Sequence, residues 1–157
     1  MNELTQLVVF RLDAQAYAVP LSAVERVVRA VEVTPLPQAP AIVLGVIDVE
    51  GRVLPVLNIR RRFGLPDKDI QPTDQFLIAR TAQRTVVLVI GEARDVIERS
   101  AIEIISPARI VPGLEQIQGV IKLEDGLALI HDLEKFLSLD ESCSLDEAMR
   151  QEVALAT

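Results

Sequence analysis

Gly45-Val46-Ile47-Asp48-Val49-Glu50-Gly51-Arg52-Val53-Leu54-Pro55-Val56-Leu57 is the stretch on which the fold turns. Its apolar residues suffice for two short strands. Glu50-Gly51 lies between them, where a tight reversal needs a residue that reaches positive φ without steric cost. The segment therefore reads as a β-hairpin. It recurs, ungapped, 74 residues later as Gly119-Val120-Ile121-Lys122-Leu123-Glu124-Asp125-Gly126-Leu127-Ala128-Leu129-Ile130-His131, with Gly, Val, Ile and Glu at matching positions.

The repetition extends outward from the hairpins. Asn58-Ile59-Arg60-Arg61-Arg62-Phe63-Gly64 follows the first copy and Asp132-Leu133-Glu134-Lys135-Phe136-Leu137 the second, so each hairpin runs into a short Asn- or Asp-started helical turn. Upstream, Leu21–Val28 lines up with Ile90–Ile97 in apolar pattern. A repeat present only twice predicts two similar half-barrels packed as a pseudo-symmetric pair, the first over about residues 7–73 and the second over about 74–138.

A chain of 157 residues buries roughly 70% of the surface that it exposes when unfolded, so one domain with two halves needs no disulfide or metal. Half of the residues are hydrophobic but only 3% are aromatic, which implies a core of Val, Ile and Leu and a mainly β fold. The net charge of −7 opposes a phosphate backbone, and no basic patch is interleaved with aromatics, so nucleic acid is not an expected partner. Arg60-Arg61-Arg62 reads as a solvated helix face, with an acidic partner surface as the alternative. A lone Cys143 suits a reducing compartment. The start lacks the pattern of a signal peptide, and no apolar run approaches the ~18 residues of a spanning helix, so a cytoplasmic protein without direct membrane insertion is expected.

In chain order, Leu7–Asp13 and Gln15–Pro20 read as a strand pair closed at Asp13-Ala14. Ser22 is placed to cap a helical turn through Val24-Glu25-Arg26-Val27, and Arg29–Val33 alternates as a half-buried strand. Pro35, Pro37 and Pro40 make a crossing loop. Pro55 cannot donate to a ladder, which predicts an edge or a position facing away from a partner strand. Leu65–Asp74 is a polar junction, and Gln75–Arg80 with Thr85–Ile90 forms the central pair of the second half. Pro107 and Pro112-Gly113 mark a second proline loop, and Ser144-Leu145-Asp146-Glu147 is a capping-box pattern for a C-terminal helix over about 144–155, docked by Leu145, Met149, Val153 and Leu155.

Catalytic chemistry is scarce. His131 stands where the first hairpin has Leu57 and reads as a strand histidine near the end of its ladder. His131 and Cys143 together cannot supply a Cys/His metal site. Neither a phosphate-binding loop nor a dinucleotide fingerprint is present, and the Asp and Glu spacing selects no acid/base pair. Function therefore points to recognition by surfaces: two faces and the groove between two small barrels.

Several segments together resemble the CheW family of bacterial chemotaxis coupling proteins: Val8–Leu12; Tyr17–Leu21 with Val24–Val27; Thr34-Pro35-Leu36-Pro37-Gln38-Ala39-Pro40; and Leu44–Gly51 with Leu54–Arg60. The resemblance covers about residues 6–140. It implies two five-stranded SH3-like barrels around a common core, no cofactor and no catalysis. It also implies an adaptor joining chemoreceptor cytoplasmic tips to the regulatory domain of a CheA-type histidine kinase, at the inner face of the membrane through receptor arrays. Carried over by position, it places receptor contacts at Val24, Arg26, Gly45 and Glu50 and kinase contacts at Asp48, Gly51 and Arg52. The position of Glu50 is usually basic in that family and that of Arg26 often acidic. This joint inversion predicts an Arg26–Glu50 contact across the first barrel. Gly91-Glu92-Ala93 departs as well, where an aspartate and a valine are common. A small-ligand or nucleotide sensor using the inter-barrel groove is the competing class; no motif supports purine binding.

Overall fold

A computed structural model describes residues 4–105, 117–135 and 139–156. Ten strands carry the fold: β1 Leu4–Leu12, β2 Gln15–Pro20, β3 Val24–Arg29, β4 Val43–Val49, β5 Arg52–Leu57, β6 Gln75–Arg80, β7 Thr85–Ile90, β8 Glu92–Ser100, β9 Ile117–Leu123 and β10 Gly126–His131. Among the described residues two α-helices accompany them, α1 Ile59–Arg62 and α2 Leu139–Ala156, with single helical turns at Leu21–Ala23, Ala101–Glu103 and Leu133–Lys135.

The strands form two five-stranded sheets of identical plan, β8-β1-β2-β10-β9 and β3-β6-β7-β5-β4. The first draws its strands from both ends of the chain and is called the terminal barrel; the second is the middle barrel. The expected division at residue 73 is therefore not the division of the sheets. Each half gives its first hairpin to the other half, β1 and β2 to the terminal barrel and β6 and β7 to the middle one. The joints are parallel pairings, β2 with β10 and β5 with β7. Parallel neighbours require a crossover, which the rest of each half supplies.

This exchange explains the continuous apolar runs of β1, β2, β6 and β7, because both of their faces are buried. On alternate residues, Leu7, Val9, Ala16 and Ala18 fill the terminal barrel, while Val8, Phe10, Leu12, Tyr17 and Val19 face outward from it. Phe76, Ile78 and Val87 fill the middle barrel, while Leu77, Ala79, Val86, Leu88 and Ile90 meet the outward set from β1 and β2 in a shared core. Phe10, Tyr17, Phe63 and His131 stack through that core, with Phe63 and His131 centroids 3.9 Å apart. The fully buried His131 is part of this packing, at the end of its ladder as its sequence position suggests.

The duplication is exact in register. β3 bulges at Glu25 against β6 and β8 at Arg94 against β1; β4 bulges at Leu44 and β9 at Gln118. Val46 and Val120, each following the repeated glycine, pair with Thr34 and Ile105 in isolated bridges. A Cβ on Gly45 would lie 2.2 Å from the Thr34 carbonyl oxygen, and one on Gly119 would lie 2.4 Å from the Ile104 Cγ2. Both positions require glycine for close approach of a neighbouring segment.

Several local expectations change. Val24–Val27 is strand, not helical turn: a single helical turn over Leu21–Ala23 ends before it, and the Glu25 bulge sets Val24 and Val27 on one face toward the shared core while Val28 faces the middle barrel. Residues 30–33 lie beyond the end of β3 and are not strand. β5 is an interior strand, so Pro55 is not on an edge. Its ladder with β7 begins only at Val56, and the missing donor at Pro55 breaks no bond there. β8, charged along most of its length, is an additional strand. The proline loop at Pro107 and Pro112 lies outside the described residues.

Of the three arginines of α1 only Arg61 stays on a solvated face; Arg60 and Arg62 are half-buried in ion pairs. Arg60 grips Asp13 through two hydrogen bonds of 2.9 Å, Arg61 bonds Asp67 at 3.3 Å and Arg62 bonds Glu141 at 2.5 Å. The Arg60 guanidinium holds the Asp13 carboxyl below the usual carboxylate range. Helix α2 begins at Leu139, five residues before the capping-box pattern. Arg62 holds Glu141, and Gln83 and Arg84 hold Ser142, fixing the first turn to the body. Leu145 and Ala148 then bury against Leu36 and Val46, on the outer side of β4.

Candidate functional site

The β4–β5 hairpin closes in two residues, with φ of +52° at Glu50 and +85° at Gly51, the combination that a twist-compatible tight turn requires. Glycine adopts this freely. Glu50 is held there by the turn, and the Asp48 carboxylate accepts the Gly51 N–H at 2.8 Å across its base. The turn thus pushes the Glu50 side chain into solvent, where it is 78% exposed.

β3 and β4 are the two edges of the middle sheet, and ion pairs join the first residues of β3 to this hairpin tip. Arg26 Nη2 lies 3.2 Å from Glu50 Oε1, the contact expected from the paired charge inversion. Arg52 Nη2 donates to Glu25 Oε2 at 2.7 Å, and Thr85 donates to the other Glu25 oxygen at 3.5 Å. Arg52 holds the Glu25 carboxyl below its ordinary range and is itself raised by it. Each pair is solvent-exposed, where water and salt screen the attraction, so the latch matters more for the charge pattern that it displays than for folding.

The seven residues singled out from sequence fall into three places. Arg26, Asp48, Glu50, Gly51 and Arg52 gather at one tip, so the receptor set and the kinase set do not lie on separate surfaces there. Val24 sits at the start of β3 with its side chain against the shared core. Gly45 lies buried at the other end of β4, against Thr34, where its role is backbone packing. Sequence reading passed over Glu25, which completes the latch. The signal was available in the run Glu25-Arg26, one charge of each sign opposite Glu50 and Arg52.

The space between the barrels is packed, not hollow, since the aromatic stack and the aliphatic side chains of the shared core occupy it. Among the described residues no group of three His, Cys, Asp or Glu is placed to hold a metal ion, and no helix is long and apolar enough to cross a membrane.

Residues 6–141 match the family model for the CheW-like domain. The chain is 27% identical over 146 residues to a chemotaxis protein CheW of Treponema pallidum, covering 89% of this chain and 86% of that one. It is 29% identical over 140 residues to a chemotaxis protein CheW of Rhizobium meliloti, covering 87% and 89%. The crystal structure of the scaffolding protein TtCheW from Thermoanaerobacter tengcongensis superposes with a TM-score of 0.79 at 22% identity, covering 90% of this chain and 92% of that one, and shares the two-barrel SH3-like fold. With its duplicated sheets and latched hairpin, this chain belongs to the CheW-like domain family.

Proposed function

We propose that the protein is a non-catalytic adaptor that couples the cytoplasmic tips of chemoreceptors to the regulatory domain of a CheA-type histidine kinase, working in the cytoplasm at receptor arrays. Membership in the CheW-like family carries the reading. The exposed tip at Arg26, Glu50 and Arg52 supports it, because a tight two-residue turn flanked by paired charges of both signs suits recognition by complementary pairing. Interfaces of ~800 Å² per partner are of the usual size for such a role.

Its test is reconstitution. Purified kinase and receptor-bearing membranes from the protein's own pathway are combined with and without the protein, and kinase autophosphorylation is followed. Activity is expected to rise only when all three are present, with the protein co-sedimenting with the membranes. Co-sedimentation and kinase output both unchanged would overturn the reading. A ligand sensor would instead show a thermal shift with purines or nucleotides, roughly 2.7 kcal/mol at a hundredfold excess over its dissociation constant. None is expected here.

A further inference from the structure

The equivalent tip of the terminal barrel is built differently. Matching the bulges and turns places Asp95 at the position of Arg26, Glu124 at that of Glu50 and Gly126 at that of Arg52. At the positions of the Arg26–Glu50 pair, where the middle barrel sets cation against anion, the terminal barrel thus has two carboxylates, while Arg94 takes the register position of Glu25. Neither Asp95 nor Glu124 has an ion-pair partner among the described residues, whereas the neighbouring Asp125 is bound by Arg11. Between the Asp95–Arg99 part of β8 and the β9–β10 turn lies a cleft of about 480 Å³, with Val9, Ile97 and Leu123 in its lining. Arg99 also borders the cleft, but it donates to the carbonyls of Glu98 and Lys122 at 2.8 and 3.3 Å. β8 is the sheet edge, so one row of its backbone groups has no neighbouring strand.

We propose that this cleft receives an arginine or lysine side chain carried on an extended segment of a partner protein. The middle barrel supplies the template: its own Arg26 guanidinium rests on the carboxylate equivalent to Glu124. Among the described residues of the terminal barrel no cation takes that place, which leaves it to a partner. The apolar lining takes the methylene stem, the two carboxylates take the head group, and the open edge of β8 offers a ladder to the segment's backbone. The net charge of −7 favours approach of a basic partner.

The probe is a blocked Thr-Arg-Val-Arg-Val-Thr peptide, titrated into the isotopically labelled protein at about 50 mM salt, where screening is modest. Expected are saturable amide shifts confined to Asp95–Arg99 and Leu123–Glu124, with binding about tenfold weaker when citrulline replaces arginine. Asp95→Arg rebuilds the internal pair, filling the cleft from within, and should abolish binding. Glu124→Gln should weaken it by about tenfold. The same spectra verify that each variant is folded. Shifts located elsewhere, no shifts at all, equal binding of the citrulline peptide, or unchanged binding to Asp95→Arg would each overturn the proposal.

Discussion

The two barrels have the same strand order, the same two bulges and the same crowded glycine, yet the middle barrel ties its hairpin tip to β3 with Arg26–Glu50 and Arg52–Glu25, while the terminal barrel places Asp95 and Glu124 at the first pair's positions. Backbone plan and surface charge are therefore set by different residues. Apolar alternation, turn geometry and close backbone approach fix the plan in both copies. Side chains at the tip have no part in either core and are free to differ, so that one tip pairs Arg26 with Glu50 and the other sets Asp95 and Glu124 without an ion-pair partner among the described residues.

The most drastic way to break the comparison is to separate the halves. Residues 1–72 and 73–157 made as separate fragments should each fail to fold, because β3–β5 would lack β6 and β7, and β1–β2 would lack β8–β10. Mixing them should restore the far-ultraviolet β signal. A cooperative melt from either fragment alone would show that the exchanged hairpins are not essential.

The repeated glycines come next. At Gly45 an added Cβ meets a backbone carbonyl oxygen at 2.2 Å and a φ of +157°, whereas at Gly119 it meets the β-branch methyl Cγ2 of Ile104 at 2.4 Å, a side-chain atom that is stiff but not backbone. Gly45→Ala should cost about 3 kcal/mol in urea unfolding and Gly119→Ala about 2 kcal/mol, since a side chain can yield where a backbone carbonyl cannot. Equal losses would mean that the two sites are equally rigid.

Acid should act on the latched barrel in a predictable sense. The Glu25 carboxyl has its folded pKa lowered from 4.5 by Arg52. The unfolded chain therefore binds the proton more readily, and the stabilisation is present above the unfolded value and lost as pH falls through the folded one. Urea midpoints taken from about pH 6 to about pH 3 should fall less steeply in Arg52→Gln than in the natural protein. A slope unchanged by Arg52→Gln would remove the latch as a source of acid sensitivity.

The smallest effect on stability, and the sharpest on recognition, is expected from exchanging Arg26→Glu together with Glu50→Arg. The pair re-forms, so unfolding should move by less than ~1 kcal/mol. Capture of receptor or kinase fragments should shift toward partners with the opposite charge pattern. Unaltered preference would assign both residues to the solvated surface.

The hairpins, the pairing of Leu7–Asp13 with Gln15–Pro20 and of Gln75–Arg80 with Thr85–Ile90, and the Arg26–Glu50 contact were legible in the sequence because each rests on local turn chemistry or on a repeated pattern. That the second of these pairs is central to the middle barrel and not to its own half was not legible, nor was the exchange of hairpins. Which copy of β6 and β7 pairs with β3 is decided by long-range packing, and two near-identical copies give identical local signals. Val24 and Val27, three apart, imitate a helix face because the bulge at Glu25 shifts the strand's alternation by one. The arginine run looked solvated because two of its carboxylate partners lie 47 and 79 residues away, on β-hairpin and helix segments that only the fold brings near. Among the site residues, Gly45 shows the limit most clearly: the same glycine signals binding or close packing, and only the Thr34 carbonyl beside it distinguishes them.

The exchanged hairpins also impose a schedule on synthesis. Every strand of the middle barrel has been made once Ile90 leaves the ribosome, but β1 and β2, though translated first, must wait for His131 before their own sheet is complete. The earliest strands to emerge are thus among the last to be fully enclosed. A nascent chain stalled between those two points carries a finished middle sheet beside an apolar hairpin that still awaits its final neighbours.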